Sequence, residues 1–393
     1  MWSSVRASTN RQSFLSSPRS TKFTIIRYMS SMHSSTAAIK LVHRRPRVLA
    51  TADLSPEGIA CLREMSELKL VGWAAGDWFC DRKQLMDAIA DAEVVLAGYE
   101  CFDEELLAAA PHLRAILSVR SAPQANIDVA AATARGIAVF HTVGRTDHGV
   151  AEFTVALALA LIRHLVPASA WIRSRSPNFD PGEDFYRGTV WGRGADSPQL
   201  AFTGIELHGR TLGIIGFGAI GRIVAEKFSG FGMRIVVHDP YVDSGELKTL
   251  GVEPVSLDEL LARSAIVTLH ARLSTQTRGM IGANELDRMG HGAYLINTGR
   301  AGLIDTDALL RALDRGQIAG AALDVFDTEP PSATDPLVAH QRVLATPHLA
   351  AWTEEMRVRH TRSIVQNLQR LLGGKAEHLS NPEVLTMAER TLP

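Results

Sequence analysis

Three ionisable side chains, Arg300, Glu329 and His348, each stand at or just past the end of a short apolar run with strand character, at spacings of 29 and 19 residues. The runs are Ala293–Thr298, Ile318–Phe326 and Val343–His348. These residue types suit the exchange of a hydroxyl and a carbonyl beside a carboxylate. Neutral His348 can take the hydroxyl proton and its imidazolium can return it. Glu329 can pair with that imidazolium and fix its tautomer. Arg300 can grip a carboxylate with its guanidinium fork and polarise the adjacent carbonyl oxygen. Taken singly, each has an ordinary alternative: a satisfied structural histidine, or a solvated loop charge. Their joint placement at the carboxyl ends of strands favours chemistry, because ligands of open parallel sheets bind there.

The hydride that such an exchange requires needs a carrier, and the chain holds a site for one. Gly216-Phe217-Gly218-Ala219-Ile220-Gly221 follows an apolar run and opens a helical one. In that context the first glycine permits a tight turn, the second lets backbone approach a pyrophosphate, and the third lets helix pack on strand. The helix N-terminus adds N–H groups and a positive dipole end. Asp239 comes 18 residues after Gly221, where an acid meets the ribose hydroxyls of NAD and repels the 2′-phosphate of NADP. The expected cofactor is therefore NAD. Asp324 is placed to meet the nicotinamide carboxamide or its cationic ring, and Thr298, Gly299, Arg300 and His348 are expected to line the same crevice.

Elements must bring these residues together. From Arg47 onward, apolar runs of strand length alternate with helical patterns: Arg47–Thr51, Glu93–Gly98, Leu113–Val119 and Ile137–Thr142 as strands, with helices Pro56–Met65, Asp103–Ala110 and Ile127–Arg135 between them. Val150–Leu165 reads as one long buried helix. A second series runs from Thr211, with strands Thr211–Gly216, Met233–His238 and Ala265–Ala271 ahead of the three already named. Helices Ala219–Phe231 and Thr306–Gly316 lie among them, and Glu354–Leu372 precedes a polar tail. Such alternation predicts parallel sheets covered on both faces, and the length predicts two domains. Residues 172–210, rich in Gly and Pro, are expected to form an extended arm.

Composition narrows the class. The chain has 393 residues, 46% hydrophobic and 21% charged, with a net charge of −1. Residues 1–52 hold nine basic residues and no acidic one, which leaves 32 basic against 42 acidic in the remainder. An acidic body is a poor match for nucleic acid. Residues 1–45, rich in Arg and Ser, resemble a mitochondrial transit segment, with a cytoplasmic start at Met29 or Met32 as the alternative. Cys61, Cys80 and Cys101 lack metal-ligand pairing, so neither a metal nor a disulfide framework is expected. The longest apolar run, Phe153 to Ile162, is too short to span a bilayer.

Four segments resemble the D-isomer-specific 2-hydroxyacid dehydrogenases: Gly216–Gly221, Asn297–Gly302, Leu323–Pro330 and Thr346–Leu349. Ile127-Asp128, Gly136–Val139 and Val150–Glu152 fit the same family, and the likeness covers residues 47–372. It implies two Rossmann-like domains around a cleft. A nucleotide-binding domain over 146–349 would be inserted into a flavodoxin-like substrate domain formed by 46–145 and 350–393. It also implies a 2-oxo or 2-hydroxy acid substrate, with Arg300 as carboxylate binder and Glu329 with His348 as the acid–base pair. A homodimer built through the nucleotide domain follows, the 172–210 arm taking part. The chain departs from the family at the substrate loop, where a glycine pair usually stands. Here it reads Arg120-Ser121-Ala122-Pro123. The N–H groups of Ser121 and Ala122 can still hold a carboxylate, Pro123 has none to offer, and Arg120 adds an anion contact. Glu100 opposes a phosphorylated substrate, and Glu at 329, where formate-oxidising relatives carry Gln, disfavours formate. The 45 residues after His348 leave no room for a sensing domain. The rivals are a non-catalytic NAD-binding corepressor or sensor, phosphite oxidation on the same frame, and a structural protein with a degenerate nucleotide fold.

Overall fold

The computed structural model describes residues 45–77, 80–174 and 198–390. The transit-like segment and most of the expected arm lie outside these. The chain forms two compact units, one from residues 1–142 with 361–393, the other from 143–360.

The first unit is a five-stranded parallel sheet. Its strands are β1 (Arg47–Ala50), β2 (Glu67–Leu70), β3 (Val94–Ala97), β4 (Ala115–Ser118) and β5 (Ala138–Phe140), in the order β2-β1-β3-β4-β5. Central strands β3 and β4 are buried at every position, as strands covered on both faces must be. Alternate residues feed two cores: Val48, Val94, Leu96, Leu117 and Phe140 on one face, Leu49, Val95, Ile116 and Val139 on the other. The edge strand β2, exposed at alternate residues, was not anticipated from sequence. Nor was helix Arg82–Ile89, although Asp81 and Gln84 form a readable capping box at its start. The polar tail also folds. Asn381 is fully buried, takes the Val139 N–H and donates to Thr133 and Ile137, and helix Glu383–Arg390 follows.

The second unit is a seven-stranded parallel sheet, again with helices on both faces. Its strands are β6 (Thr211–Ile215), β7 (Arg234–His238), β8 (Glu253–Pro254), β9 (Ile266–Leu269), β10 (Ala293–Asn297), β11 (Ile318–Leu323) and β12 (Val343–Ala345). Their order is β12-β11-β10-β9-β6-β7-β8, so strand succession reverses between β6 and β9. Helix Asp147–Ile162 packs Ala151, Leu157, Ala158 and Ile162 into the core on one face. The expected single helix Val150–Leu165 is a correction. Helix Asp147–Ile162 stops, His164 takes a left-handed φ of 52°, and helix Leu165–Arg173 departs at 59°. Among the described residues no single helix is long and apolar enough to cross a membrane.

Candidate active site

The carboxyl edge of the seven-stranded sheet carries the expected residues in a row. Asp239 follows β7, the glycine-rich turn follows β6, Arg300 follows β10, Glu329 lies beyond β11 and His348 beyond β12. At about 4.8 Å per strand the row from β7 to β12 spans roughly 24 Å.

The turn Gly216–Gly221 has the geometry a pyrophosphate requires. Gly216 has φ of 91°, and a Cβ there would lie 2.5 Å from the Ala271 nitrogen. At Gly221 a Cβ would strike the Gly216 carbonyl at 2.3 Å, so helix Ala219–Ser229 can approach the strand only with glycine there. At Gly218, by contrast, a Cβ would meet nothing within 4 Å: the turn is open outward, where a ligand would sit. No side chain caps this helix, whereas Ser55, Asp81, Asp243, Ser256 and Asp305 cap others. Its first N–H groups, including those of Ala219 and Ile220, can therefore face phosphate. Asp239 Oδ2 accepts the Phe217 N–H at 2.7 Å and Oδ1 the Tyr241 N–H at 2.9 Å, tying the acid to the turn. Each oxygen keeps a lone pair for ribose hydroxyls. These residues fit a dinucleotide.

The Arg300 loop is built on Asn297. That buried side chain accepts the Gly299 N–H and donates to the Arg300 carbonyl, both at 2.9 Å. Thr298 turns the other way. Thr154 gives its own proton to the Val150 carbonyl, so in the 2.9 Å pair between the two hydroxyls Thr298 is the donor. The Arg300 guanidinium is exposed and makes one bond, from Nη1 to the Gly299 carbonyl at 2.7 Å, leaving most of its fork open to an anion.

His348 sits three residues beyond β12 rather than at the end of a strand. Pro347 has no N–H with which to extend the ladder, and His348 takes a left-handed φ of 56°. Its N–H bonds back to the Thr346 carbonyl, and its Nδ1 lies 2.7 Å from Glu329 Oε2. The other oxygen, Glu329 Oε1, accepts the Phe326 N–H at 3.1 Å, which fixes the carboxylate. A carboxylate accepts only, so Nδ1 carries the proton and Nε2 is left with a lone pair. Both side chains remain about two-fifths exposed.

Asp324, expected beside the nicotinamide, braces the His348 loop. It is fully buried, and its carboxylate is occupied by the His348 loop: Oδ1 takes the Thr346 hydroxyl at 2.7 Å and the Leu349 N–H at 2.8 Å, Oδ2 the Ala350 N–H at 2.8 Å. A carboxylate so held positions the loop. Asn297, Thr154 and Thr346, which brace the same loops, were not singled out from sequence. Each is an ordinary polar residue whose partner is distant in the chain.

The expected substrate loop, Arg120–Pro123, belongs to the first unit. Arg120 donates its N–H to Ser118 Oγ, its carbonyl accepts from Thr142, and its guanidinium lies 4.7 Å above the Tyr99 ring. Ser121 is exposed, and Ala122 caps the short turn Pro123–Ala125. Glu100, three residues beyond β3, holds the Thr51 hydroxyl at 2.6 Å. Among the described residues no group of three or more His, Cys, Asp or Glu side chains is placed to hold a metal.

Comparison with known proteins bears on this arrangement. Residues 155–350 match the model of the D-isomer specific 2-hydroxyacid dehydrogenase NAD-binding domain. The chain is 37% identical over 354 residues to a glyoxylate reductase of Aeropyrum pernix, covering 88% of this chain and 99% of that protein. It is 35% identical over 332 residues to a D-3-phosphoglycerate dehydrogenase of Mycobacterium tuberculosis, covering 84% of this chain but only 57% of the longer relative. In structure it resembles a glyoxylate reductase from Paecilomyes thermophila, with a TM-score of 0.68 and 28% identity over 87% of this chain and all of that one.

Proposed function

Since this chain belongs to the D-isomer-specific 2-hydroxyacid dehydrogenase family and is an NAD-dependent oxidoreductase, we propose that it interconverts a small unphosphorylated 2-oxo acid and its D-2-hydroxy acid through Arg300, Glu329 and His348. The observation that carries this reading is the 2.7 Å contact between His348 Nδ1 and Glu329 Oε2. It leaves Nε2 as the atom that exchanges a proton with the substrate oxygen. In reduction, protonated His348 gives its Nε2 proton to the carbonyl oxygen; in oxidation, neutral Nε2 takes it back. Glu329 opposes the charge formed on the imidazole. Arg300 pairs with the substrate carboxylate and draws electron density from the neighbouring carbonyl. Gly216, Gly218, Ala219, Ile220 and Gly221 hold the pyrophosphate, Asp239 the adenosine ribose, and Thr298 and Gly299 border the nicotinamide. NAD bound there supplies or accepts the hydride. Within the first unit, the backbone N–H groups of Ser121 and Ala122, with Arg120, are suited to a carboxylate, and Glu100 disfavours a phosphate. Steady-state NADH oxidation with a panel of 2-oxo acids tests this; a protein that binds NADH but turns over none of them would contradict it.

The protein acts as a homodimer in this proposal. Helix Leu165–Arg173 buries none of its residues, and Leu165, Val166 and Ile172 are 55%, 52% and 58% exposed, as an interface helix is in a lone protomer. Sedimentation of the full chain at a single protomer mass would oppose it. The acid-free, Arg- and Ser-rich start supports a mitochondrial location. Imaging of the full-length protein tagged at its C-terminus would distinguish this from the cytoplasm.

A further inference from the structure

His270 is the first residue beyond β9. Ile215, Leu269 and Asn297 are the last register partners of β6, β9 and β10, so His270 stands one step further out, between Gly216 of the glycine turn and Thr298 of the Arg300 loop. Its N–H donates to the Ile215 carbonyl at 2.8 Å. Side chains alternate along a strand, so His270 shares a face with Thr268 and Ile266, the face packed by helix Asp147–Ile162. Two buried side-chain atoms on that face have no hydrogen-bond partner among the described residues: Thr268 Oγ1 and His270 Nε2. Orphaned buried polar atoms are uncommon and destabilising.

The row along the sheet edge says what the second of them is for. With pyrophosphate on the glycine turn after β6 and the adenosine ribose at Asp239 after β7, the nicotinamide half of the dinucleotide must extend to the opposite side, over β9 and β10. His270 is the polar side chain at the end of β9. We propose that His270 anchors the nicotinamide half of the cofactor by hydrogen bonding, and that its unpartnered burial in the free protein is a stability cost retained for that contact. The inference rests on the cofactor placement above and is independent of the proton transfer assigned to His348.

His270 as a residue is part exposed although its Nε2 is covered, so rotation about the Cβ–Cγ bond can present a nitrogen to a ribose hydroxyl or a carboxamide. Burial pushes the His270 pKa down to about 4, so the ring is neutral at pH 7. A neutral imidazole both donates and accepts. It also brings no second positive charge beside the cationic ring of the oxidised cofactor, and so can hold both redox states. Thr268 lies one residue pair deeper, flanked by Ile214 and Ile296, and is completely buried, beyond the reach of a ligand.

The two orphans therefore separate the hypotheses. Full-length protein carrying His270→Phe, His270→Gln or Thr268→Val is compared with wild type in two ways: NADH dissociation constant by fluorescence, and melting temperature with and without NADH. His270→Phe should melt at or above the wild-type temperature when free, yet bind NADH at least tenfold more weakly and gain less from it. His270→Gln, which keeps a neutral donor and acceptor, should retain most of the affinity. Thr268→Val should raise the melting temperature and leave NADH binding unchanged. Wild-type NADH affinity in His270→Phe, or free-protein stability lost in step with affinity, would overturn the proposal. Failure to reduce any 2-oxo acid would contradict the catalytic assignment and leave these binding results untouched.

Discussion

The buried carboxylate of Asp324 accepts the backbone N–H of Leu349 at 2.8 Å, one residue along the chain from His348. Through this bond, and those from Thr346 and Ala350, the end of β11 dictates where the His348 ring stands. Replacement by Asn keeps the size but turns one acceptor into a donor facing an N–H. Asp324→Asn should lose roughly 1–3 kcal/mol of stability and lower kcat at least tenfold, with NADH affinity little changed. Denaturant titration and single-turnover kinetics check this; wild-type kcat would show that the loop holds itself.

His348→Asn tests the acid–base assignment with little backbone strain, because Asn tolerates the left-handed conformation that His348 adopts. Turnover should fall by about 10²–10⁴-fold while NADH affinity stays near wild type. An equal fall in both would mean that the ring holds cofactor rather than moves a proton.

Asp239 closes the turn through Phe217, and in the proposed function it also meets a ribose. Asp239→Ser removes the carboxylate that repels a 2′-phosphate. The ratio of kcat/KM for NADPH over NADH should rise at least tenfold, with some loss of NADH affinity because the Phe217 N–H loses its partner. An unchanged ratio would place the ribose elsewhere.

His270 also predicts a pH dependence of stability. Below pH 6.5 the unfolded chain takes up a proton on this histidine, which the folded protein refuses until about pH 4. The contribution of this group is therefore independent of pH above 6.5, and stability falls as pH drops towards 4, by about 3 kcal/mol in all. The difference in unfolding free energy between wild type and His270→Gln, followed from pH 7 to pH 4, should shift in favour of the variant. A difference that stays flat over that window would show that His270 is solvated.

Much of this site was legible in the sequence because its signals are local. Gly216–Gly221 with Asp239 is a turn, a helix start and a strand end within one βα unit, and buried parallel strands announce themselves as continuous apolar runs. Arg300, Glu329 and His348 could be placed because each comes soon after such a run. What escaped was long-range. Nothing near Asp324 reveals that residues 346–350 return to bond its oxygens. The helix break at His164 is the exception, because its signal is local: Pro167 has no N–H to give the Arg163 carbonyl one turn back, so a continuous helix cannot run through the junction. His270 lies in no recognised motif, and only the register of three strands shows that it borders the turn. Asn381 looks like tail, yet its buried bonds to β5 can be known only once the chain has come back.

The central claim is that Arg300 and the Glu329–His348 pair reduce a 2-oxo acid at the expense of NADH. The most direct measurement follows NADH consumption by the full-length protein with glyoxylate, hydroxypyruvate, pyruvate, bulkier aliphatic and aromatic 2-oxo acids, and 3-phosphohydroxypyruvate, beside Arg300→Ala. Turnover of at least one unphosphorylated 2-oxo acid, lost by at least a hundredfold in Arg300→Ala while NADH binding persists, is the predicted result. Absence of turnover with every acid, in protein that binds NADH, or turnover that survives in Arg300→Ala, would contradict it.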